Sequence, residues 1–156
     1  MVEIQRKRDK LMRISKDEYY LEIAKVIAKR STCLRRQYGA VIVKNDMIVG
    51  TGYNGSARGQ SNCCDVETCW RELNNIPHGQ QYEQCVAIHA ENNAMSQAGR
   101  NKCIGATLYL VGIENEKEIV ALPCLMCDRE IKNNGIIRIV NKNGDVLNDV
   151  EKIQIN

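Results

Sequence analysis

The sequence predicts a single α/β domain, one sheet covered by helices, and three observations carry that expectation. At 156 residues the chain can enclose one core of its own but not two of ordinary size. The β-branched runs in "GAVIVKNDMIVGTGYNG", "ATLYLVG" and "IIRIV" alternate with stretches of helical period, which is the order of elements in α/β packing. Hydrophobic residues make up 44% and charged residues 26%, as in ordinary soluble domains. Phe is absent and aromatics total 4%, so the core must be largely aliphatic.

Residues 1–14 form a basic arm with Arg6, Lys7, Arg8, Lys10 and Arg13 close together, read as a solvated segment. This start has no apolar h-region, and no stretch approaches the roughly 18 apolar residues of a membrane span. The expected location is the cytoplasm. Ser15 and Glu18 make an S-x-x-E capping box that opens a first helix, with Leu21, Ala24, Ile27 and Ala28 on one side. Residues 39–43 and 47–53 should pair as a hairpin about "KND". Residues 56–84 form a loop too long to be idle, with "CWRELNN" as a short helix inside it. A helix follows over 85–99, ended by Gly99, then a strand over 106–112. A second short helix runs from Pro123 to Gly135 and feeds the strand "IIRIV". The tail is short for a helical crossover, which favours a hairpin return. No internal repeat or low-complexity segment interrupts this order.

A net charge of +3 and a pI near 8.4 fall short of a dedicated nucleic-acid binder and leave small anionic ligands as the natural partners. The eight cysteines, in a reducing compartment, argue for thiols rather than a disulfide framework. Two of them, Cys124 and Cys127 in "PCLMC", are spaced C-x-x-C. That spacing alone fits a redox pair, half of a zinc ribbon or half of a catalytic zinc site. A ribbon needs a second C-x-x-C, which the chain lacks. His89, in "CVAIHAENNAM", supplies a third ligand; three protein ligands leave a tetrahedral zinc one open position, the mark of a catalytic site. Glu91 is then a carboxylate beside the ion but not on it. In this reading His89, Cys124 and Cys127 hold zinc and Glu91 moves protons.

H-x-E followed by P-C-x-x-C is the signature of the zinc nucleobase deaminases. More narrowly, "STC", "GAVIVK", "GTGYNG", "HAENNA" and "PCLMC", in this order over most of residues 20–140, resemble the deoxycytidylate (dCMP) deaminase family. The resemblance implies a three-layer α/β/α sandwich, cytidine-deaminase-like, with a mixed central sheet of about five strands. It implies zinc-dependent hydrolysis of dCMP to dUMP and ammonia. By the same resemblance Asn54 lines the substrate pocket, and Tyr53 and Gly55 belong to a glycine-rich loop associated with a regulatory nucleotide, dCTP or dTTP. Ala57 stands where that loop usually has proline. Some members carry a second, structural zinc, for which Cys33, Cys63, Cys69 and Cys85 are the candidates, with His78 as a substitute ligand; the alternative is that these small thiols simply pack. Such a site would pin the 56–84 loop. Arg36 is nominated for the 5′-phosphate ahead of Arg35 and Arg58. Family members usually assemble as dimers or hexamers. The rival readings are a zinc deaminase of another base, nucleoside or tRNA, and a catalytically silent zinc or nucleotide-binding module, against which Glu91 argues.

Overall fold

The computed structural model describes residue 3 and residues 13–146. The basic arm otherwise lies outside the described residues, as does the chain after Val146. The first helix, α1 (Lys16–Ala28), starts at the expected capping box: Glu18 N–H donates to Ser15 Oγ at 3.2 Å, and Ser15 N–H donates to Glu18 Oε2 at 2.9 Å. Next come β1 (Gln37–Lys44) and β2 (Met47–Tyr53), an antiparallel hairpin. Its turn places Asn45 and Asp46 at φ of 51° and 61°, the left-handed pair that matches strand twist in a two-residue loop.

Short elements fill residues 55–88: β3 (Gly55–Ser56), α2 (Cys63–Val66), α3 (Trp70–Leu73) and β4 (Ala87–Ile88). Helix α4 (Ala90–Ala98) and the single turn α5 (Arg100–Cys103) lead to β5 (Thr107–Glu114). A tight return at Asn115 and Glu116, again both at positive φ, adds β6 (Lys117–Ile119). Helix α6 (Leu125–Asn133), β7 (Arg138–Asn141) and β8 (Gly144–Asp145) complete the described chain.

The main sheet has six strands in the order β2-β1-β5-β7-β8, with β6 on β5. Strands β5 and β7 are parallel and the other pairings antiparallel; the parallel step is bridged by α6, as such a crossover requires. Strand β6 accounts for the sixth strand, and β8 is the hairpin return expected of the tail. Helix α1 covers one face, laying Tyr20, Ala24 and Ala28 on Val41, Val43, Tyr109, Val111 and Ile113. Helices α4 and α6 cover the other, where Ala90, Ala94, Ala98, Cys127 and Ile131 meet Ala40, Ile42, Leu108 and Leu110. This is the three-layer sandwich. Burial on both faces explains why the central strands read as continuous apolar runs rather than alternating ones.

Two close approaches set the position of α4. A Cβ on Gly52 would lie 2.3 Å from the Ala90 carbonyl oxygen, and one on Gly50 would lie 2.4 Å from that of Ala94. Both glycines pair across the hairpin with Ala40 and Ile42, so they face the same way. With Ala90, Ala94 and Ala98 spaced four apart along the facing stripe, helix and strand meet backbone to backbone. On the opposite face, α1 is tied down by Asp17, which accepts from both Arg138 Nη atoms at 3.0 and 2.7 Å and from the Tyr109 hydroxyl at 2.7 Å.

The structure starts α4 later than the sequence predicts. Residues 85–89 are not helical: Ala87 and Ile88 pair with Ser56 and Gly55, and His89 is extended at φ −71°, ψ 151°. Val86 and Ile88, β-branched and largely exposed, are stiff at χ1 and suit this extended entry.

Candidate active site

His89 is the N-cap of α4 and Cys124 the N-cap of α6, so each side chain leaves the chain where helical geometry begins. Cys127 follows in the first turn of α6, and Glu91 is the second residue of α4. The two helix starts converge. His89 Nδ1 lies 3.2 Å from Cys127 Sγ and 3.4 Å from Cys124 Sγ. Among the described residues, His89, Cys124 and Cys127 are the group of His, Cys, Asp and Glu whose ligand atoms all lie within 4.8 Å of one another. Zinc–sulfur bonds near 2.3 Å and zinc–nitrogen bonds near 2.0–2.1 Å at a tetrahedral angle put N and S about 3.5 Å apart. The donor set fits zinc in both kind and spacing.

Electrostatics agree with that fit. The Cys127 thiol, then His89 and the Cys127 backbone N–H, stabilise the Cys124 thiolate and push its pKa down, while the bond to Cys124 and then burial hold the Cys127 thiol up, so that one proton is shared within the pair. The helix N-terminus favours the same anion. Beside this thiolate, His89 is held above the ordinary imidazole range. Glu91 is 5% exposed, and burial raises its carboxyl above the usual range. A carboxyl so placed can carry a proton where an exposed one would not.

A cavity opens over this group. Its lining joins His89, Glu91 and Cys124 to Asn54, Tyr38, Tyr82 and Arg71. Asn54 is built into the wall: its Oδ1 accepts from Tyr38 N–H at 2.8 Å and its Nδ2 donates to the Arg36 carbonyl at 2.9 Å. One lone pair and one N–H remain for a ligand. Tyr82 stacks edge-on against His89, centroids 4.9 Å apart at 81°.

The scan against protein families matches residues 14–142 to the cytidine and deoxycytidylate deaminase zinc-binding region. The chain belongs to this family. Its relatives include the deoxycytidylate deaminase of Mycobacterium phage D29, 41% identical over 129 residues that span 80% of this chain and 91% of that protein. The enzyme of the same name from Schizosaccharomyces pombe is 37% identical over 82% of this chain, which covers only 37% of the yeast protein. Among solved structures, the dCMP deaminase of cyanophage S-TIM5 in apo form matches with a TM-score of 0.60 and 24% identity, over 83% of this chain and 84% of that one. The fold is therefore that of the family. The family binds zinc, and the His/Cys/Cys group is consistent with that ion.

The other sequence-selected residues are distributed unevenly. Cys33, Cys63, Cys69 and Cys85 line the same cavity, and burial together with the neighbouring thiols raises the Cys63 pKa. Cys85 precedes α4 rather than belonging to it. Tyr53 is not among the residues that line the cavity, and its carbonyl accepts from Asn93 Nδ2 at 2.8 Å. Gly55 is packed against Thr32, whose Oγ1 would sit 2.5 Å from an added Cβ. Arg36 does line the cavity, but its Nε donates to Glu114 Oε1 at 3.0 Å and its Nη1 lies 2.9 Å from His78 Nε2. His78 is thereby engaged with Arg36 and with the Tyr82 hydroxyl at 3.3 Å. Sequence reading missed Arg71, Tyr38 and Tyr82. No local spacing marks them; the clue for Arg71 was a lone arginine inside the helical "CWRELNN".

Proposed function

We propose that this protein is a zinc-dependent hydrolase that converts dCMP to dUMP and ammonia. The observation that carries the proposal is a buried carboxylate, Glu91, lining the same cavity as His89 and Cys124, two of the three convergent zinc-type ligands, and owning no place among those three. A module that only bound zinc or nucleotide would have no use for it. Relatives over most of this chain are named deoxycytidylate deaminases, and an S-TIM5 enzyme of the same fold was crystallised with dCMP and dUMP.

In this reading His89, Cys124 and Cys127 hold one zinc ion. Bound there, zinc supplies the Lewis acidity that makes water a nucleophile near neutral pH. Glu91 does the proton work. Its raised affinity lets it take a proton from the attacking water, deliver it to N3 of cytosine and then assist departure of ammonia from C4. Asn54, locked to the backbone of Tyr38 in β1 and of Arg36 just before it, presents its free amide valences to the substrate from a fixed position. Tyr82 and the buried walls exclude water from the imidazole.

The finer parts of the proposal are a second, structural zinc on Cys33, Cys63, Cys69 and Cys85, a cytoplasmic location suited to eight free thiols, response to dCTP or dTTP, and assembly as a dimer or hexamer. The exposed side chains of Val120, Leu122 and Leu125, beside α6, favour such assembly. Among the described residues no helix is long and apolar enough to cross a membrane.

The deciding experiment is ammonia release by the zinc-loaded protein from dCMP, deoxycytidine, cytosine and guanine. Turnover of dCMP with the highest kcat/KM is expected. Inert dCMP beside an active alternative would reject the substrate assignment.

A further inference from the structure

We infer that Arg71 is the residue that makes the cavity select a nucleotide over a nucleoside, by binding the phosphate monoester of the substrate. The inference rests on the dCMP reading and deepens it. Arg71 is 6% exposed, and arginine cannot shed its charge by deprotonating. Among the described residues no carboxylate lies within 4.0 Å of it, whereas Arg35 and Arg36 have Glu72 and Glu114. Its one hydrogen bond there runs from Nη2 to the Pro77 carbonyl at 2.6 Å, and its Nε is buried with no partner. A buried cation without an anion is strongly unfavourable, more so than one carbonyl and one aromatic ring offset.

The ring is Tyr82, 4.4 Å from the guanidinium carbon. Tyr82 in turn packs on His89, so the guanidinium stands one ring away from the proposed metal, on the wall of the same cavity. A 5′-phosphate stands one sugar away from its base. The surrounding field is positive: burial, then Arg36, Arg71 and Arg35, hold His78 below the ordinary imidazole range. A phosphate dianion matches this corner in charge, and the guanidinium fork matches its geometry. Arg36 is the weaker candidate because Glu114 already neutralises it.

The test compares zinc-loaded wild type with R71Q, R71K and R36Q, using dCMP and deoxycytidine as substrates and inorganic phosphate as a competitor. In R71Q, kcat/KM for dCMP should fall about 10- to 100-fold, the scale of losing a charge-assisted pair, mostly through KM. The ratio of dCMP to deoxycytidine kcat/KM should fall with it, and zinc content should hold. R71K, which keeps the charge but loses the fork, should restore part of the preference. Inorganic phosphate should inhibit wild type and do so at least tenfold more weakly in R71Q. Should R71Q fail to fold without its Pro77 bond, R71K is decisive, and an unchanged ratio of dCMP to deoxycytidine turnover in that variant overturns the inference. So does a loss of preference in R36Q with full preference in R71Q. A wild type that prefers deoxycytidine rejects the substrate reading instead, whatever the variants do.

Discussion

Gly52→Ala adds one methyl group between β2 and the start of α4. The new Cβ would meet the Ala90 carbonyl oxygen at 2.3 Å, the Ala94 nitrogen at 2.5 Å and Asn93 Cβ at 2.8 Å. Two of these neighbours are backbone and cannot rotate away, so α4 must lift by roughly 1 Å to reach ordinary van der Waals contact. Overpacking of this kind costs about 1–3 kcal/mol, more than the few tenths to about 1 kcal/mol that losing a glycine's unfolded-state freedom returns. For a domain of this size the melting temperature should drop by roughly 2–10 °C. Activity should suffer more, because Ala90 lies between His89 and Glu91, while Cys124 and Cys127 ride on a different helix. A displacement of about 1 Å at a reacting centre can cost on the order of 100-fold in rate. Gly50→Ala is the internal control: its clashes, with the Ala94 carbonyl at 2.4 Å and Ala98 Cβ at 2.8 Å, fall near the far end of α4. The assays are thermal unfolding, bound zinc and kcat for dCMP. G52A should lose far more turnover than G50A for a similar loss of stability. Wild-type melting and turnover in G52A would refute the account of how α4 is positioned.

Glu91→Gln should keep the ligand set and hence zinc, while kcat falls by about 100- to 10,000-fold, the usual worth of a proton-transferring group; metal analysis beside steady-state kinetics checks it, and retained turnover would remove Glu91 from its role. Cys124→Ala should strip zinc from the protein as purified, because two protein ligands hold the ion poorly. If the second ion exists, wild type should bind two and Cys63→Ser one. For stability against pH, Asp17 is held below its ordinary value near 3.8, first by Arg138 and then by Tyr109. A depressed carboxylate stabilises the fold above its unfolded pKa and loses that effect as pH falls through the folded one. Asp17→Asn should therefore cost about 1 kcal/mol or less at pH 7, because solvent screens a carboxylate that is 40% exposed, with the gap from wild type closing as pH falls below the ordinary value and through the depressed one. A gap independent of pH would contradict this.

The elements that the sequence revealed are those whose signals are local. Ser15 and Glu18 cap α1 through bonds three residues long, and the Asn45–Asp46 turn starts its hairpin locally, before the pairing shifts by one residue between Ile42 and Val43. The family motif likewise carried His89, Glu91, Cys124 and Cys127, because metal ligation restricts residue type. What stayed hidden depends on partners distant in sequence. The late start of α4 follows from Ala87 and Ile88 pairing with Gly55 and Ser56, a contact across thirty residues that no helical periodicity reports. Strand β6 escapes sequence reading, since three residues of strand are too few to show a period. Arg36 is nominated ahead of Arg35 and Arg58, and nothing in the sequence brings Arg71 into that comparison; only the fold shows that Glu114 neutralises Arg36 and that Arg71 has no counter-ion among the described residues.

The two helix starts that meet at His89 and Cys124 belong to different parts of the sheet. Helix α4 rests on β1 and β2, whereas α6 is the crossover between β5 and β7. An ion held by both would close a loop between residues 35 apart, spanning α4, α5, β5 and β6. Treated as a cross-link, it restricts the unfolded chain by about 4 kcal/mol, comparable to a disulfide that this thiol-rich chain does without. The metal would thus act as a staple as well as a reagent: chelation should lower the unfolding midpoint and free the α6 side of the sheet to exchange its amide hydrogens sooner than the α1 side.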